Sequence, residues 1–451
     1  MRLLLTLLLL LVSNLLAAQK PYFHQEVNYK IAATLIDSIH TITGNIEIEY
    51  VNKSPDQLEF IYFHLWGNAF QNRTTAFAEQ KLREGSTEFY FASTGDLGGY
   101  TDLNFTVNGQ SAVLELQKDN PDIAVLRLPK PLESGQKVTI QTPFTLRIPA
   151  SFSRLGHVGE SYQMTQWYPK PAVYDADGWH PMPNLDMGEY YSEFGNYDVT
   201  ITLPANYVVA ATGVLQTDSE QNFLQQQVEN TNAYLAKLSF IPSSSTQEAF
   251  PPSSAELKTI RYTAENVHDF AWFADKRFKV QKSEVPLNSG KTVDTWVFFT
   301  EFEQQLWKDA IQYVDRSVKF YSDLVGEYPY PQATAVQSAL SAGAGMEYPM
   351  ITVIGTAYNA QALDVVITHE VGHNWFYGIL ANNERDHAWM DEGINSYYEK
   401  RYTKTYYDNK GVIISLPDII QKGSNLTFDE LAYLWQARRH RDQAPATSSN
   451  E

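Results

Sequence analysis

Cysteine is absent from all 451 residues. That excludes disulfides, thiol nucleophiles, iron–sulfur clusters and cysteine-ligated zinc. Basic residues are outnumbered, with 34 Lys and Arg against 52 Asp and Glu and a formal net charge of −18. Such a chain lacks the basic face that a phosphate backbone needs, which argues against nucleic acid as its main partner. Beyond the first eighteen residues no run is long and apolar enough to span a bilayer. Disorder is excluded by a hydrophobic content of 43%, with 28 Tyr, 23 Phe and 9 Trp. A chain of this size buries a large core without covalent staples. At about 150 residues per domain it has room for roughly three.

The chain opens MRLLLTLLLLLVSNLLAAQK, with Arg2 as a short positive region, an apolar stretch from Leu3 to Val12, and small residues at Ala17 and Ala18. This pattern predicts a signal peptide over residues 1–18, and therefore export to a periplasm or the medium. A membrane partner is expected only if the segment stays uncleaved.

Residues from about 24 to 240 read mostly as β. YKIAATLIDSIHTITGNIEIEYVNK and NYDVTITLPANYVVAATGVLQ alternate apolar and polar residues between turn signals, a pattern of sandwiched or curved sheets. KTIRYTAENV and RFKVQKSEV continue in that style. Near residue 285 the character changes. A helix is expected over Phe302–Val325, strands over Gln332–Ala339 and Met350–Ile354, and helices over Ala360–Gly378, Glu392–Tyr406, 415–422 and 428–439. The expected organisation is thus multidomain: residues 19–284 a β-rich N-terminal domain, and residues 285–451 an α+β domain.

Inside one of those helices lies Thr368-His369-Glu370-Val371-Gly372-His373. Two histidines four apart on a helix share a face and can hold one Zn²⁺. Glu370 sits beside them, free to act as general base toward an attacking water. Glu392 follows His373 with eighteen residues between, at the start of the next helix. Three protein ligands with a fourth position open is the arrangement of a catalytic zinc site. Glu399, two turns further along that helix, is a candidate acceptor for a ligand imidazole. Upstream, Ala342-Gly343-Ala344-Gly345-Met346-Glu347-Tyr348-Pro349 combines glycines with a carboxylate. A strand edge there would pair with an extended peptide, and Glu347 would take its ammonium group. His387, in the loop NNERDHAW, is read as an ordinary loop histidine, since a fourth protein ligand would close the site. His157 and His180 have no chemistry argued for them.

AGMEY over Ala344–Tyr348, HEVGH and Glu392 together resemble the gluzincin zinc aminopeptidases of the membrane alanyl aminopeptidase and leukotriene hydrolase family, with IYFHLWGNAF and QWYPKP resembling exported bacterial members. The resemblance implies a saddle-like β domain followed by a thermolysin-like catalytic domain. It implies one Zn²⁺ on His369, His373 and Glu392, Glu370 as base, Glu347 on the substrate amine with Gln166 as helper, and the backbone at Ala344 and Gly345 aligning the peptide. Tyr348 departs from the asparagine of the family motif, and Trp167 and Tyr168 depart from the usual surroundings of Gln166. By the same analogy an oxyanion-stabilising tyrosine is expected roughly sixty residues after Glu392, at or past residue 451. The chain therefore reads as stopping inside its catalytic domain. Tyr433 is the nearest candidate, in a helix where core packing is the plainer expectation.

The function expected is that of an exported zinc aminopeptidase acting on peptides with a free N-terminus. Two alternatives stand beside it: an endopeptidase indifferent to the free amine, and a truncated or non-catalytic zinc- or peptide-binding relative.

Overall fold

Alternation in EVNYKIAATLI buries Val27, Tyr29, Ile31, Ala33 and Leu35 on one side of the strand Glu26–Ile36. That strand pairs antiparallel with Thr41–Val51 and parallel with Gly195–Pro204. Lys137–Arg147 and Leu257–Val267 extend the same sheet on either side, and short strands complete nine. The computed structural model describes residues 22–237, 248–339, 345–407, 428–441 and 447–449. Residues 1–18, Ala344 and the helix expected at 415–422 lie outside them.

Two four-stranded sheets accompany the large one. The first joins Gly156–Val158, Ser161–Met164, Trp272–Asp275 and Val208–Ala211; the second joins Lys170–Pro171, Leu58–His64, Ile123–Leu132 and Leu114–Leu116. The first region is β-rich as the alternation implies, but it also holds helices that the alternation does not announce, among them Ala76–Arg83. Asp218–Leu235, of 18 residues, is the longest helix described in this region. Its buried residues Glu220, Leu224, Val228 and Thr231 repeat every three or four positions. That is a helical stripe, so sparse in apolar residues that the polar sequence around it hides it.

A five-stranded sheet organises the second region, in the order Lys279–Pro286, Thr292–Phe299, Gln332–Gln337, Ile351–Ile354, Gly345–Tyr348. Its first strand begins at Lys279 and pairs with Thr292–Phe299. The composition change at residue 285 thus falls inside a strand of the second sheet. Two of the expected helices are also shorter than expected. Phe302–Val325 divides into Gln304–Trp307 and Ala310–Leu324, with Trp307 turned into the core near Phe299. The helix expected to reach Gly378 ends at Gly372.

The strand Gly345–Tyr348 is the edge of its sheet. Met346 and Tyr348 pack into a core with Trp66, Tyr190, Phe273 and Val336, residues drawn from both regions. Because side chains alternate along a strand, Glu347 between them faces the opposite side. Among the described residues no helix is long and apolar enough to cross a membrane.

Candidate active site

The helix Ala360–Gly372 starts at Asn359, whose side chain accepts the backbone N–H of Ala362 at 2.8 Å. Leu363, Ile367 and Val371 fasten it to the main core. Four residues apart near its C-terminus, His369 Nε2 and His373 Nε2 stand 3.1 Å from each other. The following helix, Ile394–Tyr407, is preceded by one π turn over Trp389–Gly393. Such turns are rare and recur at functional sites, where they re-aim a side chain. Here the turn carries Glu392, whose Oε2 is 3.2 Å from His369 Nε2 and whose Oε1 is 3.8 Å from His373 Nε2.

The other ring nitrogens are occupied. His369 Nδ1 lies 2.9 Å from Glu399 Oε2, and His373 Nδ1 lies 3.0 Å from the carbonyl of Phe376. Donation from both Nδ1 atoms leaves both Nε2 lone pairs facing each other and the Glu392 carboxylate. Three acceptors converging on one point call for a cation. A tetrahedral ion with bonds of about 2.0–2.1 Å places its ligand atoms about 3.3 Å apart. The observed separations of 3.1, 3.2 and 3.8 Å fit that spacing. Glu399 therefore stands where the sequence spacing puts it, behind the first imidazole. Burial works against a charge on His369, but the bonds to Glu392 and Glu399 raise its pKa well above the ordinary histidine value.

Asn395 ties the two helices together. It donates from Nδ2 to the carbonyl of His369 at 2.7 Å and accepts from Tyr321 Oη at 2.8 Å. Gly372 makes this possible, since a Cβ there would stand 2.1 Å from Asn395 Oδ1.

Glu370 and Glu347 face the metal position from the helix and the sheet edge. Glu347 Oε1, Glu370 and His373 present ligand atoms within 4.8 Å of one another. Glu370 is buried and its Oε2 has no partner. Burial, and then the neighbouring Glu347, push its carboxyl up to about 8. A Cβ at Gly345 would stand 2.4 Å from Glu370 Oε1, so that glycine lets the strand lie directly against the carboxylate. Glu347 Oε1 also lacks a hydrogen-bond partner, 3.9 Å from His373 Nδ1. Burial raises the Glu347 carboxyl well above the usual range, and Glu189 and Glu392 add to it.

Three acidic residues of this site escaped the sequence reading. Glu189 and Glu384 bring carboxylate oxygens within 4.8 Å of Glu347, and so do Asp391 and Glu392. Glu189 lies on the loop after Pro183, held by Arg385, which donates to the carbonyls of Pro183, Gly188 and Glu189. Arg154 grips its carboxylate with two bonds of 2.7 Å. The available signal was a carboxylate set among aromatic and apolar residues, MGEYY, in a stretch without strand periodicity.

Gln166 does not reach Glu347 directly. Its Oε1 accepts from Tyr348 Oη at 3.2 Å, and its Nε2 is 3.5 Å from Asp269 Oδ2. The tyrosine that departs from the family motif is thus what holds this glutamine. Tyr433 is not a core residue: it sits on the helix Phe428–Ala437 and is 61% exposed. His387 is an exposed loop residue. His157 stacks on His40 with ring centroids 3.7 Å apart, and His180 bonds Asp175 at 2.8 Å.

Residues 310–425, which carry both zinc-ligand helices, match the peptidase family M1 domain. The family match is confined to those residues. Over 97 residues it is 29% identical to leukotriene A-4 hydrolase of Xenopus laevis, a match covering 21% of this chain and 16% of that relative. The fold is similar to that of a variant M1 zinc metallopeptidase from Deinococcus radiodurans, at a TM-score of 0.55 and 15% identity, covering 95% of this chain and 79% of that one. A variant of the Deinococcus radiodurans enzyme bound to a Tyr-Ser-Ala substrate gives a TM-score of 0.51 at 15% identity, covering 85% and 72%. At that identity the likeness speaks for the fold. It is the M1 arrangement of a β-rich N-terminal region followed by the metallopeptidase region. The M1 family implies one zinc per chain, and His369, His373 and Glu392 form the group whose geometry fits it.

Proposed function

We propose that this M1 metallopeptidase is an aminopeptidase, removing residues from the free N-terminus of peptides. The observation that carries the reading is Glu347: a buried carboxylate with an unpartnered oxygen, on a sheet edge beside the candidate zinc ligands. A carboxylate so placed is satisfied by an ammonium group arriving with the substrate.

Zinc held by His369, His373 and Glu392 supplies electrophilic activation of a carbonyl and acidifies water. The chain's own residues do the rest. Glu370 accepts the proton of the attacking water and delivers a proton to the departing amine. Glu347 receives the N-terminal ammonium and so fixes which peptide bond is presented. The free edge of Gly345–Tyr348 offers backbone groups to an extended peptide. Gly345 allows that strand to approach Glu370 without a side chain between them. We read the chain as exported, on the pattern of residues 2–18.

The test compares alanyl p-nitroanilide with its N-acetylated form. The aminopeptidase reading expects the acetylated compound to be turned over at least a hundredfold more slowly. Equal rates would make the chain an endopeptidase. Zinc binding without turnover of either would make it a non-catalytic relative. Edman sequencing of the exported protein, expected to begin near Gln19, tests the export reading; a start at Met1 contradicts it.

A further inference from the structure

Glu347 alone does not account for the acid gathered around it. Oxygens of Glu189, Glu347 and Glu384 all lie within 4.8 Å of one another. The three come from distant parts of the chain: the loop holding Glu189, the edge strand holding Glu347, and the connection between the two zinc-ligand helices holding Glu384. Glu384 is fully buried and receives no hydrogen bond from a nitrogen or hydroxyl donor among the described residues; the side chain beside it, Asp391, is another carboxyl. An unpaired buried carboxylate costs several kcal/mol unless something positive meets it.

The cations already present are committed elsewhere. Arg154 spends its two short bonds on Glu189. Arg385 donates to three backbone carbonyls of the Glu189 loop. A carboxylate has about four lone-pair sites, so the Arg154 grip leaves each Glu189 oxygen with one more to offer. It also locks the direction in which that oxygen points. Glu347 and Glu384 remain with open oxygens facing the same small space.

Three acceptors surrounding one tetrahedral ammonium at about 2.8 Å stand about 4.6 Å apart. Oxygens of Glu189, Glu347 and Glu384 all fall within 4.8 Å of one another, close enough for one ammonium group to reach all three. We infer that Glu189 and Glu384 are substrate-binding residues, which together with Glu347 give the three N–H groups of the substrate's N-terminal ammonium one acceptor each. The recognition site is then shared between the two regions of the chain, with Glu189 supplied by the N-terminal one. This inference rests on the aminopeptidase reading above.

An ammonium held equally in the ground and transition states sets KM and leaves kcat nearly alone. The experiment uses the full, zinc-loaded chain with alanyl p-nitroanilide, first as wild type and then as Glu189→Gln and Glu384→Gln. The expected result is a KM raised tenfold or more in each variant, with kcat within threefold and zinc at one equivalent. Should the glutamine at 189 spoil folding, Glu189→Asp keeps the charge opposite Arg154 but withdraws it by one methylene. It is expected to raise KM by a smaller factor. A KM unchanged in these variants, in a wild type that does prefer the free amine, overturns the inference. So does a second divalent ion per chain that disappears in Glu189→Gln, which would make the three carboxylates a metal site. A wild type indifferent to N-acetylation fails at the earlier step, before any variant is compared.

Discussion

Glu399 Oε2 lies 2.9 Å from His369 Nδ1, while Glu392, seven residues earlier on the same stretch, reaches the other nitrogen of that ring at 3.2 Å. One helix thus grips one imidazole from both sides. The outer bond fixes the ring's tautomer and orientation, and so belongs to the metal's affinity as much as the ligands do. Glu399→Ala is expected to weaken zinc binding by about 10–100-fold. Competition with a zinc chelator measures it. An unchanged affinity would reduce Glu399 to a surface acid.

Glu370→Gln keeps the shape of the side chain and removes its basicity. Turnover is expected to fall by about 10²–10⁴. Zinc is expected to stay at one equivalent by elemental analysis, because Glu370 is not a ligand. Retained activity would assign the base elsewhere.

Gly372 touches Asn395 and Tyr321 where a methyl group has no room. Gly372→Ala is expected to destabilise the metal-free protein by about 1–3 kcal/mol. This outweighs the roughly 1 kcal/mol that alanine's helix preference returns. Adding Asn395→Ala removes the colliding oxygen and should recover part of the loss. Thermal unfolding of the two variants side by side shows whether the pair is coupled; simple additivity of their effects would say it is not.

Glu193 carries a pH dependence that does not involve the metal. Burial pushes its carboxyl up to about 8, against 4.5 for the free side chain, although backbone N–H groups of Gln25 and Tyr174 oppose the shift. Between those values the folded chain holds a proton that the unfolded chain releases. Its contribution to stability is therefore present below about 4.5 and lost as pH rises toward about 8. Glu193→Gln is expected to flatten that decline and to be more stable than wild type at pH 8. Urea unfolding at pH 5 and pH 8 measures the slope. Equal slopes in the two proteins would contradict it.

The metal centre was legible because its chemistry is local. His369, Glu370 and His373 occupy one helical turn, and eighteen residues suffice to bring Glu392 back on the next helix. The seven-residue step to Glu399 follows from helical geometry alone. What surrounds Glu347 was not legible, because Glu189 is 158 residues away and sits in a loop fixed by Arg154 and Arg385. No periodicity announces such a residue. Strand alternation revealed the β-rich region, yet the helix Asp218–Leu235 stayed hidden because its buried stripe includes Glu220 and Thr231. The need for glycine at 372 comes from Asn395 and Tyr321, contacts between elements that local sequence does not encode.

One zinc ion held by His369, His373 and Glu392 is central to the proposed chemistry. Its most direct test is to strip the protein with a chelator, then titrate zinc back while following hydrolysis of alanyl p-nitroanilide. Activity is expected to vanish on stripping and to return linearly to a plateau at one equivalent, with Glu392→Gln failing to recover at that point. Activity that survives stripping, or that needs two equivalents to return, would contradict it.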